Sequence, residues 1–197
     1  MSAPILFERA FPTGDFRVHD GDPVLALPYL KQVHGAVVLD ARTVTHGQEA
    51  DGLWAPATDP RALAIRTADC LPILLIGPGG SALLHAGWRG LAADIIGAPE
   101  VRALAPHTAF IGPCIHACCF AVTAEFAGHF PGRPLESRPD GTLRFDLVAE
   151  AQRQVSAHYG IAAVDSGDCT CCLPQYSSYR RDKTTRRIWN CFFPRAK

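Results

Sequence analysis

The chain predicts an α/β (α+β) fold with central β-sheets flanked by helices, and three observations carry that expectation. Short apolar runs end in Gly/Pro turns and read as strands, as "LPILLI" does before Gly77-Pro78-Gly79-Gly80. One stretch, 145–160, carries a helical apolar stripe with an N-cap and a glycine stop. Strands and helices mix without βαβ regularity, and no repeat or low-complexity linker divides them. One compact domain over residues 1–197 is the simplest organisation.

Taken in order, the first 30 residues offer mainly turn formers, at Pro12-Thr13-Gly14 and Asp20-Gly21-Asp22-Pro23. "VVLDA" (37–41) reads as a strand and is followed by the polar stretch 46–49. "ALAIRT" (62–67) alternates as a strand should, and "LPILLI" is a continuous apolar strand. "SALLHA" returns as its partner, in a hairpin or as a neighbouring strand. "WRGLAADII" starts a helical pattern broken at 97–99, and a second helical piece spans 100–105. "TAFIG" (108–112) is a short strand stopped by Pro113. In the clearest helix Asp146 is the N-cap, Leu147, Val148, Ala151, Val155 and Tyr159 form the stripe, and Gly160 is the stop. "IAAVDS" and "RRIWNCFF" complete the strands.

Composition narrows the function. Hydrophobic residues make up 48% of the 197 residues and charged residues 19%, a globular composition. Lys+Arg and Asp+Glu are both 19, so no global field recruits nucleic acid or an anionic membrane. The apolar run 71–76 is far shorter than the roughly 20 residues of a membrane span. The N-terminus lacks a basic region, a long apolar segment and a cleavage site, so a soluble, cytoplasmic protein is expected. Eight cysteines without an export signal are read as reduced thiols: core residues, metal ligands or nucleophiles. No paired CxxC…CxxC arrangement points to a zinc ribbon.

His34 in "KQVHGAV", Cys70 in "TADCLP" and His85 in "LLHAGWRG" each stand at a strand end or before a turn. Two imidazoles and a thiolate suit Zn²⁺ with a fourth position for water. Their separations of 36 and 15 residues match no short metal motif, so packing and a Cys70–His85 nucleophile pair remain alternatives. Asp69 is a candidate for orienting a histidine or moving protons. Arg89, near a helix start, is a candidate anion contact, as are Arg180 and Arg181, with Arg186 and Arg187 close by, in "YSSYRRDKTTRR". "IGPCIHACCFAV" (111–122) and "CTCC" (169–172) are read separately, each as buried thiols or as part of a metal site.

"KQVHG", "EADGLWA", "TADCLPILL", "HAGWRGLAA", "IGPCIHACCFAV", "CT" and "SYRRD" follow one another as in the YfiH-like proteins, also labelled laccase-domain proteins, multicopper polyphenol oxidases and purine nucleoside phosphorylases. The chain resembles that family over roughly residues 30–193. The resemblance implies a single α/β domain related to the cysteine-hydrolase-like fold of deamidating toxins. It implies His34, Cys70 and His85 as metal ligands, with zinc as the metal and copper as the alternative. Activities implied are adenosine phosphorolysis or deamination and methylthioadenosine phosphorolysis; alternatives are editing of a nucleotide-linked peptidoglycan precursor and phenol oxidation. No H-x-H pair occurs among the eight histidines, which argues against multicopper chemistry. A zinc-stabilised binding protein without turnover is the non-enzymatic alternative.

The chain departs from the family at both ends. The segment 1–29 is a short, weak match in which Arg17 is the distant candidate for the family's N-terminal arginine. Lys183 and Thr185 stand where the family's C-terminal motif has glycines.

Overall fold

The computed structural model describes residues 3–23 and 29–195. Of the weakly matching segment 1–29, residues 1, 2 and 24–28 lie outside that description. Strands β1 (Ile5–Phe11) and β2 (Gly14–His19) form an antiparallel hairpin about Pro12-Thr13. Next come β3 (Val38–Asp40), β4 (Gly52–Pro56), β5 (Leu63–Thr67), β6 (Leu71–Gly77) and β7 (Gly80–Ala86). Helix α1 (Trp88–Ala92), a 3₁₀ turn at Ile95–Gly97 and α2 (Pro99–Arg102) lead to β8 (Thr108–Ile111). Short strands β9 (Ala121–Val122), β10 (Glu136–Ser137) and β11 (Leu143–Arg144) make a small sheet of their own. Helix α3 (Leu147–Tyr159), β12 (Ala163–Asp165), α4 (Tyr179–Asp182) and β13 (Ile188–Pro194) finish the chain.

Two larger sheets organise these elements. One has the order β12-β8-β6-β7-β4-β3, the other β1-β2-β13-β5. Strand β6 sits inside the first and is buried along its whole length. Its alternate side chains feed two cores. Leu71, Ile73 and Leu75 pack with Leu91, Ile95, Val101 and Val155 on the helical side. Leu74 and Ile76 pack with Phe16, Leu63, Ile65 and Phe192 from the second sheet. A strand covered on both faces has no polar face, which is why "LPILLI" is unbroken in the sequence.

The β6–β7 hairpin, β5, β8, β12 and β13 fall where the sequence places them. Helix α3 has the expected ends: Asp146 accepts from the Ala149 N–H at 2.9 Å, and Gly160 closes it at φ 66°. Six strands go unread in the sequence: β1, β2, β4 and the two-residue β9, β10 and β11. In β1 the apolar alternation is interrupted by exposed Glu8 and Arg9, and β2 and β4 lie among turn formers. The helical pattern after Trp88 is shorter than its periodicity suggests. It stops at five residues because Asp94 adopts a left-handed φ of 57°, after which the backbone continues as a 3₁₀ turn.

One crossing matters for function. The chain leaves the second sheet at the end of β5 and enters the first at Leu71, with only residues 68–70 between them. Cys70 is therefore held at the corner where the two sheets part, and the end of β7 lies beside it through the Leu71–Ala86 pair.

Candidate metal centre and cavity

A buried carboxylate that the sequence reading does not single out builds this site. Asp51, fully buried just before β4, accepts hydrogen bonds from the backbone N–H groups of Val33, His34 and Gly35 at 3.3, 2.9 and 2.6 Å. That grip holds the tight turn in which His34 takes a left-handed φ of 62°. The same carboxylate lies 2.8 Å from Nδ1 of His85. With Nδ1–H donating to Asp51, Nε2 is the nitrogen of His85 left to ligate once a metal displaces its proton. His34, Cys70 and His85 then bring one ligand atom each to within 4.8 Å of one another. Gly87 closes the floor: a Cβ there would stand 3.1 Å from Cys70 Sγ and 3.2 Å from the His34 ring.

Electrostatics favour a thiolate. Burial alone would push the Cys70 thiol up, but hydrogen bonds from His34 and His85 hold it at about 6. Burial likewise opposes a charged His85, yet Asp51 and the Cys70 sulfur raise it to about 9. Asp51 is held below the usual carboxylate range: burial works against its charge, while His85 and the Gly35 and His34 N–H groups outweigh that cost. The thiolate and imidazole nitrogens are the donor set that zinc takes, with three protein ligands and an open side toward the cavity. The Asp51–His85 contact supplies the carboxylate support that ligating histidines typically have.

A cavity of about 540 Å³ opens above this floor. Lys31, Arg66, Arg180 and Arg187 line it with positive charge, and Trp88, Phe120 and Tyr179 give it aromatic walls. Arg66 is braced by its NH₂ bond to the Leu30 carbonyl at 3.2 Å and by the Tyr29 ring 4.5 Å away. Arg180 donates to the Cys119 and Ala121 carbonyls at 3.2 and 3.0 Å and lies over Phe120. Thr185, one of the residues replacing a family glycine, also reaches the cavity.

The remaining sequence candidates have different placements. Asp69 lines the cavity, but both its oxygens are engaged: Oδ1 accepts from the Thr170 hydroxyl at 2.8 Å and Oδ2 from the Arg180 N–H at 2.6 Å. Its carboxylate thereby also positions the start of α4. Arg89 is exposed, packs over Trp88 and lies outside the cavity lining, and the helix it starts is only five residues long. Arg181 also lies off the lining and ties the Thr170, Cys171, Leu173 and Tyr176 carbonyls together. Arg17 sits on β2, paired with Glu8 and Asp15 and away from the cavity. Arg187, one of the clustered arginines of "YSSYRRDKTTRR", lines the cavity, whereas Asp51, Lys31 and Arg66 are the site residues that sequence reasoning misses. Asp51 lies inside the quoted "EADGLWA", whose acid before a glycine is the available signal. Two further ligand-rich groups exist among the described residues: Cys118, Cys119, Cys169 and Cys172, and Cys114, His116 and Asp165.

A cationic, aromatic-walled cavity over an imidazole–thiolate floor defines a small-molecule site able to hold a metal ion. The family described as multi-copper polyphenol oxidoreductase laccase matches residues 21–193, and the chain belongs to this YfiH-like family. The chain is 41% identical over 132 residues to a "Purine nucleoside phosphorylase" of Aquifex aeolicus, covering 64% of this chain and 62% of that relative. It is 31% identical over 172 residues to "Purine nucleoside phosphorylase YfiH" of Escherichia coli, covering 81% and 70% of the two chains. The chain thus spans about two thirds of the length of these relatives. Among solved structures, YlmD from Geobacillus stearothermophilus superposes with a TM-score of 0.72 at 27% identity, over 88% of this chain and 75% of that one. The Neisseria meningitidis protein NMB0706 does so with 0.72 at 31% identity, over 85% and 75%.

Proposed function

We propose that the protein is a zinc-dependent purine nucleoside enzyme and that phosphorolysis is its favoured reaction. The observation that carries this reading is the composition of the cavity: four cationic side chains and three aromatic ones above His34, Cys70 and His85. Phosphate needs cations, and a purine needs flat apolar walls. The names of the relatives agree with such a substrate. Deamination is less well served, because it needs a carboxylate free to move protons and the one lining the cavity, Asp69, has both oxygens occupied.

His34, Cys70 and His85 would hold the metal, which supplies Lewis acidity at the cavity floor. Asp51 keeps His85 in one tautomer and His34 in its turn. Arg66, Arg180 and Arg187 bind and orient the anion, while Trp88, Phe120 and Tyr179 hold the base and exclude water. Copper chemistry with several metal ions is less well supported: among the described residues, this trio is the only ligand group with more than one imidazole. The cations would equally suit the diphosphate of a nucleotide-linked cell-wall precursor, which is the next substrate if adenosine fails.

The test is product analysis by mass spectrometry on adenosine, with and without phosphate, beside Cys70→Ser prepared identically. Adenine plus ribose 1-phosphate, dependent on phosphate and lost in the variant, is the expected result. Inosine without phosphate would replace phosphorolysis by deamination. Identical products from wild type and variant would end the nucleoside reading.

A further inference from the structure

Two cysteine motifs far apart in sequence meet at one point beside the cavity wall. Cys118 and Cys119 follow β8, and Cys169 and Cys172, a CxxC pair within "CTCC", follow β12. Their four sulfurs all lie within 4.8 Å of one another. The Cys118–Cys119, Cys118–Cys169, Cys118–Cys172 and Cys119–Cys172 separations are 3.7, 3.6, 3.6 and 3.4 Å. A disulfide needs sulfurs ~2.05 Å apart. A tetrahedral zinc with Zn–S bonds of ~2.3 Å spaces its sulfurs by ~3.8 Å. The cluster has the second spacing.

We propose that Cys118, Cys119, Cys169 and Cys172 form a second, structural zinc site. Its surroundings suit a bound tetrathiolate. The His116 N–H points at Cys169 Sγ from 3.5 Å, the kind of backbone donor that stabilises a ligating sulfur. Cys118 and Cys172 are exposed, giving the ion a path in, while Cys169 is buried and anchors the inner corner. Two guanidinium groups neighbour the cluster and offset its negative charge: Arg180 on the Cys119 carbonyl and Arg181 on the Thr170 and Cys171 carbonyls. Four protein ligands leave no open position, so the site closes structure and performs no chemistry.

The consequence reaches the cavity. Phe120 follows Cys119 directly, lines the cavity and stacks under Arg180. The Cys169 segment carries Thr170, which holds Asp69, which in turn holds the Arg180 N–H. A metal joining the two loops therefore fixes the aromatic wall and one of its cations.

The test starts from full-length Cys70→Ser, which removes one ligand of the cavity floor and leaves the cluster intact. It is loaded with zinc under reductant, freed of excess metal, and its zinc per chain is measured; cobalt is then exchanged in. About one zinc per chain is expected, with the intense sulfur-to-cobalt charge-transfer absorption of a tetrathiolate. Adding Cys119→Ser and Cys172→Ser should remove both signals, whereas adding Cys171→Ser should keep them. Should the multiple variant fail to fold, the cobalt spectrum of Cys70→Ser alone still decides. No retained metal, or a mass short by the hydrogens of a disulfide, would overturn the assignment. Because this probe does not involve turnover, its outcome is independent of the nucleoside reading.

Discussion

The cavity floor and the four-cysteine cluster are both built where separate loops converge, yet they prepare their sulfurs with different neighbours. At the floor one thiol lies between two imidazoles, and Asp51 stands behind His85 to fix its direction. At the cluster thiols meet thiols: burial pushes Cys118 up to about 11 and raises Cys119, while at Cys169 burial is outweighed by the backbone N–H groups of His116, Cys172 and Cys171, which lower it. Without metal, the floor favours a thiolate at Cys70, whereas in the cluster Cys118 and Cys119 resist ionisation until a cation draws their protons off, and only the inner Cys169 is eased toward its charged form. A site with mixed donors and an open side suits chemistry; a closed all-sulfur site suits bracing.

The largest effect that would break this contrast is loss of the floor ligand. Cys70→Ser should abolish cavity metal and phosphate-dependent turnover of adenosine while leaving a folded protein, checked by metal content and circular dichroism. Asp51→Asn comes next. It weakens the hold on His85 and on the 33–35 turn, and zinc affinity should fall by about 10–100-fold in a competition titration. Equal affinity in the variant would show that the turn positions His34 unaided. Gly87→Ala should have a smaller effect in the same direction, because its Cβ crowds Cys70 Sγ and the His34 ring without straining the backbone.

The acid–base contrast can be sharpened by alkylation of chelator-treated protein, read at each cysteine by peptide mass spectrometry. Cys70 should label with a midpoint near pH 6, and Cys118 should stay slow until far higher pH. Stability should behave differently. The raised His85 contributes fully below its unfolded value of 6.5 and loses that contribution as pH rises through about 9. The lowered Cys70 contributes above its unfolded value of 9.0 and loses that contribution as pH falls through about 6. Between about 6.5 and 9 the folded and unfolded pair each hold one proton, so this pair gives stability no slope there. A steep urea-midpoint change across that window that is absent in Cys70→Ser would break the assignment of a thiolate–imidazolium pair. The smallest effect is expected at Lys183, which caps α4 at a left-handed φ of 52°; Lys183→Gly should change stability by no more than ~1 kcal/mol.

Much of the frame is legible in the residues themselves. The unbroken "LPILLI", the Gly/Pro turn after it and the capped stripe of 145–160 each encode their element locally, since strand burial and helix ends depend on neighbours within a few residues. The His34–Cys70–His85 set was approachable through quoted motifs, although its spacing carries no metal signature. Asp51 lies in the quoted "EADGLWA", yet its role does not show there, because a buried carboxylate that organises a turn 16–18 residues upstream and a histidine 34 residues downstream has no local pattern. The same holds for the arginines: Arg89, Arg180 and Arg181 look alike in sequence, and only Arg180 faces the cavity.

What the sequence by itself determined is the two-sided core strand, the long helix and the residue types able to bind metal and anion. The tertiary structure decided which of them meet. It joined Cys118-Cys119 to the CxxC at 169–172, tied Asp69 to the Arg180 N–H, and set Cys70 at the parting of two sheets. The reason is physical: periodicity and capping are settled within a few residues, whereas a ligand set is settled by how strands far apart in the chain pair and pack.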